Sequence, residues 1–212
     1  MIVMPSSNIG FECGRLFGRF PKQLGHLMHS SPGTKHRVKP KPGQIWALDN
    51  WAFSAFKSGK AWSEEPFYSY LEEYSHLNPL WAVVPDCVGD KHKTLELWQK
   101  HSPAVAAYGV PLAFAVQDGM TPKDVPKEPT PAVIFVGGTT SWKWKNLTTW
   151  TQSFARVHVG RVNSYRLLWI CNKAGAESCD GTGWFKHPDR TNELERYLEE
   201  AKQGNPPQLE LI

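Results

Sequence analysis

The chain has 212 residues, of which 41% are hydrophobic and 21% charged, with a formal net charge of +4. That balance excludes a disordered chain and suits one domain over residues 1–212; the mild positive charge permits an anionic partner without requiring one. No run reaches the roughly 18 apolar residues of a membrane span, and the N-terminal MIVMPSSNIGFECG has no signal-peptide pattern, so a soluble cytoplasmic protein is expected. In chain order, short apolar runs lie at 2–5, 44–50, 80–86, 112–118, 132–138 and 155–162, with weaker ones at 176–181 and 208–212. Runs of this length suit strands buried on both faces, as in a parallel sheet. Helical spacing of apolar residues predicts helices over 64–77 and 91–108. Asn163-Ser164 and Thr191 mark the starts of two more, at 163–174 and 191–203. The segment 30–43 is basic and rich in Pro and Gly, and 119–131 carries four Pro, so both read as loops. Repeated strand–helix alternation predicts an α/β fold, and its length fits a compact (β/α)8 TIM-like barrel. An open doubly wound sheet is less favoured, because neither GxGxxG nor GxxxxGK[ST] occurs. No cofactor is expected.

The strand ends carry the informative residues. In chain order they are Asp49 and Asn50, then Asp86, then Gln117 and Asp118, then Gly137 and Gly138, then Gly160 and Arg161, and last Asp180. A parallel barrel puts all of these on one face, where barrel enzymes keep their active sites. Each Asp or Gly could also serve only its own turn. Together they suit a guanine-like ligand. Asp86 can accept from N1–H and the exocyclic amine, while Gln117 and the amides beside Gly137 and Gly138 can donate to O6. Phe53 can stack on a flat base or fill a core. An aspartate can attack C1′ of a nucleoside, with a second aspartate as acid and base.

The ordered set ALDNWAF (47–53), VVPDCVGD (83–90), AVQDG (115–119), FVGGT (135–139), HVGRV (158–162) and SCDG (178–181) resembles the tRNA-guanine transglycosylase family. That family includes phage relatives that insert 7-deazaguanine bases into DNA. The resemblance implies a (β/α)8 barrel with Asp180 as nucleophile and Asp49 as general acid/base. It implies that Asp86, Gln117 and Gly138 read the base edge with Asn50 assisting, and that Phe53 and Val159 sandwich the ring beside Gly160. Asn50-Trp51 stands where the family has Ser-Gly.

Family members acting on tRNA carry a Cys-x-Cys-x-x-Cys plus His zinc site after the nucleophile. Nothing like it follows Asp180. No metal is expected; Cys171, Cys179 and His187 are the nearest to a partial site, with buried structural thiols favoured. DNA is therefore the expected partner, with a 7-deazaguanine base as the small-molecule substrate. The alternatives are exchange in tRNA, an N-glycosidase using the same carboxylates on water, and a non-enzymatic nucleic-acid-binding protein. SWKWKNL (141–147) reads either as a backbone-tracking segment of Trp142, Lys143 and Lys145, extended by Arg161 and KHRVKPK (35–41), or as an amphipathic helical turn. Ten Trp suit a core, or an interface in a homodimer or with a partner subunit.

Overall fold

The computed structural model describes residues 1–6, 10–29 and 39–207. Their order is β1 (Ile2–Pro5), α1 (Phe11–Arg19), β2 (His26–His29), β3 (Trp46–Asp49), α2 (Ala52–Lys57), α3 (Glu64–Tyr74), β4 (Ala82–Val83), α4 (Lys91–Ala106), β5 (Leu112–Val116), β6 (Val133–Val136), α5 (Thr140–Ser153), β7 (Val157–Val159), α6 (Tyr165–Ala174), β8 (Ser178–Gly181) and α7 (Pro188–Gln203). Every ladder is parallel, and the strands run β1-β8-β7-β6-β5-β4-β3-β2. Parallel bridges Val3–Leu24 and Ser6–Leu27 bring β2 against β1, so the sheet is a nearly closed (β/α)8 barrel.

Strand residues alternate between two apolar layers, as the two-residue period demands. Met4, Leu27, Ala47, Trp81, Val83, Ala113, Ala115 and Val133 fill the barrel. The alternate positions, among them Val3, Leu48, Phe114, Val136 and Val159, pack outward against the helices. On α3, Phe67, Tyr70, Leu71 and Tyr74 are buried at the spacing read from the sequence. Ser164 caps α6 by accepting from Leu167 N–H. Six Trp are buried and none of the other four is exposed, so within this chain they serve packing.

The strand β2 and the helices α1 and α2 were not expected. His26 and His29 hide β2, since polar residues at both ends break an apolar run. The 208–212 candidate and most of 30–43, including residues 35–38 of the basic stretch, lie outside the described residues. Segment 119–131 holds one 3-10 turn, Pro122–Asp124, capped by Thr121 and Asp124. No described helix is long and apolar enough to cross a membrane.

Candidate active site

At the C-terminal ends of the strands lies a cavity of about 510 Å³. Val83 and Ala115 line its inner side, and so does Phe135, which belongs to a stack of aromatic rings. Phe135 lies on His158 at 4.8 Å between centroids, and Trp81 meets the same imidazole edge-on at 4.7 Å. Asp49, Asn50, Phe53, Asp86, Gln117, Gly137, Gly138, Arg161 and Asp180 all line the cavity.

Asp180 is 5% exposed. Its Oδ1 accepts from His158 Nε2 at 3.1 Å and from the Arg161 backbone N–H at 3.2 Å. No described residue donates to Oδ2. With the proton on Nε2, His158 Nδ1 accepts from the Ser178 hydroxyl at 2.8 Å. Ser178 and His158 are both fully buried. This is a Ser–His–Asp chain with its carboxylate, not its hydroxyl, toward the cavity, so the hydroxyl is a support and not a nucleophile. The Asp180 carbonyl accepts from Val162 N–H at 2.6 Å. A Cβ at Gly181 would stand 2.2 Å from Val162 O and 2.5 Å from Trp184 Nε1, so only glycine permits this closure.

Asp86 is held from both sides. Asn50 Nδ2 donates to one oxygen and Gln117 Nε2 to the other, each at 2.7 Å. The amides are themselves fixed. Asn50 Oδ1 accepts from Ala52 N–H at 2.8 Å, and Gln117 Oε1 from Gly89 N–H at 3.1 Å. Burial raises the Asp86 pKa to about 6, against the pull of the two amides. Asn50 and Gln117 therefore orient Asp86. Asp49 has weaker support, a 3.4 Å bond from Trp51 N–H. Burial first, then the charges of Asp180 and Asp86, raise its pKa to about 7.

Several expected contacts are corrected by these positions. Val159 is fully buried in the outer layer, because odd and even residues of β7 face opposite ways; His158 takes the inward place. Gly160 does not line the cavity; its carbonyl accepts from Lys143 Nζ. Lys143 is only 1% exposed, so it is no phosphate-tracking surface cation. Burial, then the positive Arg161, lowers its pKa to about 8, opposed by Asp180. Trp142 is half-buried beside Trp150, and of that segment's cations Lys145 alone is exposed. The Gly137 N–H is occupied by Val116 O at 3.2 Å, so it is not free for a base oxygen. Gly138 has φ +64, and a Cβ there would lie 2.5 Å from Trp142 and 2.6 Å from Asp118. Asp118 does not line the cavity; it pins the next turn through the Thr139 N–H and hydroxyl at 2.5 and 2.6 Å.

His158 and Phe135 are the site residues that strand-end reasoning passed over. Both share the inward face with the glycine two residues further on, so counting back by two from Gly160 and Gly137 would have found them. His29 lines the cavity from the unexpected strand β2. Cys171 and Cys179 are buried and free, with burial pushing the Cys171 thiol up to about 12 and that of Cys179 well above its ordinary value. His187 stands at the N-cap of α7. No protein-family model and no curated protein matches this chain.

Proposed function

We propose that this protein is a base-exchange glycosyltransferase that replaces guanine in DNA with a 7-deazaguanine, through a covalent intermediate on Asp180. One observation carries the reading. Three carboxylates share one cavity, yet each has a different setting. Asp180 is fixed through Oδ1 alone, Asp86 is held through both oxygens, and Asp49 is loosely bonded with a raised pKa. Environments that push paired carboxylates apart assign them different roles.

In the forward half, Asp180 Oδ2 attacks C1′ of the target nucleotide as the C1′–N9 bond breaks. The bonding pair passes to the guanine ring, and Asp49 supplies the proton that lets guanine leave neutral. In the return half, Asp49 takes the proton from N9 of the incoming base. That nitrogen attacks C1′ and displaces the Asp180 carboxylate. No oxidant or water is consumed. Asp86, ionised, accepts from N1–H and the exocyclic amine, and Phe53 lies against the ring. A base within a duplex must be flipped out to reach this cavity.

Incubation with labelled guanine, and separately with duplex DNA, single-stranded DNA and tRNA, tests the reading. Label entering DNA but not tRNA is the expected result. Label entering tRNA alone moves the substrate, and base released without incorporation points to a hydrolase. No turnover on any of them sinks the proposal.

The two raised carboxyls set the pH dependence. Asp86 must be ionised, so kcat/KM falls as pH drops through about 6. Asp49 must carry a proton to release guanine, so kcat/KM falls as pH rises through about 7. A narrow bell between these values is expected for guanine exchange. A profile flat through both would remove these assignments.

A further inference from the structure

Among the described residues, the exposed large apolar side chains are Phe11, Phe53 and Phe56, at 84%, 38% and 63%. All three belong to helices that leave the mouth end of the barrel, and two stand on α2, directly after the Asp49-Asn50 strand end. Phe53 and Phe56 are three residues apart and so adjacent on one helix face, with Lys57 beside them. Phe53 and Lys57 line the cavity, whereas Phe56 does not. Residues 50–63 contain Lys57 and Lys60 and no carboxylate. The Arg161 guanidinium lies over the Phe53 ring at 4.5 Å and donates to the Gly138 carbonyl.

This helix is mounted firmly. Trp51 enters it in the left-handed region, at φ 67, which an L residue adopts only when its surroundings impose it. Those surroundings are visible. Asn50 caps the Ala52 N–H at 2.8 Å, and Trp62 Nε1 donates to Asn50 O at 2.7 Å. The far end is tied by Lys60 N–H to Ala55 O at 2.9 Å, after Gly59 at φ +64. The buried Ala52 and Ala55 seat the helix, leaving Phe56 in solvent.

We infer that α2 is a stacking platform for the DNA strand next to the extruded nucleotide. Phe56 takes the face of a neighbouring base, and Lys57 and Lys60 meet the phosphates on either side. This rests on the base-exchange reading and deepens it, and it replaces the SWKWKNL segment as the strand contact. The combination fits DNA by its chemistry. Aromatic faces accept any base, while cations without intervening carboxylates match a polyanion. A purely apolar protein partner leaves the lysine pair without a role.

The test uses fluorescence anisotropy of labelled duplex and single-stranded DNA with the full chain, alongside calorimetry of free guanine. Phe56→Ala should weaken DNA binding about 5- to 100-fold, with guanine affinity and Tm unchanged, and Phe56→Trp should restore binding. Lys57→Ala should lower the salt slope by about one. DNA binding by Phe56→Ala within about twofold of wild type, with guanine still bound, would overturn the platform and leave the base-exchange reading standing. Wild-type protein that binds neither DNA nor guanine would overturn both, and tRNA bound in place of DNA would overturn the inference as stated.

Discussion

Under the proposed mechanism, Asp180→Asn is expected to lower exchange by on the order of 10⁴- to 10⁶-fold, the loss typical of removing a covalent nucleophile. Asparagine nearly matches aspartate in volume and keeps an acceptor for His158 and for the Arg161 N–H. Binding of guanine through Asp86 therefore survives, and the loss falls in kcat, not in base affinity. The buried surroundings sharpen this expectation. Asp180 stands on His158 and Ser178, and its backbone is closed by Val162 and Gly181, so the variant side chain has little room to shift. Measurement of single-turnover rates and guanine affinity on the same preparation separates the two effects. A variant that loses base affinity and turnover together would place Asp180 in recognition, and not in attack.

In the same mechanism Asp49→Asn is expected to remove on the order of 10²- to 10⁴-fold of the rate, since the departing base would lose its proton donor. The same change stabilises the fold. The ordinary aspartate pKa of 3.8 rises here to about 7, so the folded protein resists ionising this group. Below about pH 4 the carboxyl is protonated whether the chain is folded or not, and contributes nothing. Between those values the unfolded chain ionises first, so stability falls as pH rises; above about 7 the whole penalty is present. Replacing the carboxylate removes that penalty. A gain of about 1–3 kcal/mol at neutral and higher pH corresponds to a Tm higher by about 3–10 °C for a chain of this size. The gain disappears on acidification. Thermal melts of both proteins across pH read it directly, and a lower Tm at all pH values would contradict burial of the charge, beside Asp180 and Asp86, as its cause.

Much of this site was legible because polar residues end apolar runs. WALD, VVPD and ESCD each stop on a carboxylate that lines the cavity. Strand parity was the missing step. HVGRV looks like one motif, whereas its alternate residues face different layers, which puts His158 inside and Val159 outside. The Lys143 position was illegible for another reason. An alternating Trp–Lys stretch reads as a solvated face, but on α5 the Lys143 stem crosses to the Gly160 carbonyl and its charge is buried. Strand β2 was hidden because HLMH has histidines where a strand ordinarily has aliphatic residues, with His26 sheltered by stacking on Phe17 at 4.0 Å. The β1–β8 seam, by contrast, needed both ends of the chain, and no local pattern carries that pairing.

The central claim is covalent attack by Asp180 on a nucleotide C1′. Its most direct test is to mix the protein with duplex DNA, quench in denaturant without added base, and map the adducted peptide by mass spectrometry. A DNA-derived mass is expected on the peptide holding Asp180, absent from Asp180→Asn and present in protein carrying Phe56→Trp. An adduct on any other residue, or one that persists in Asp180→Asn, would contradict it.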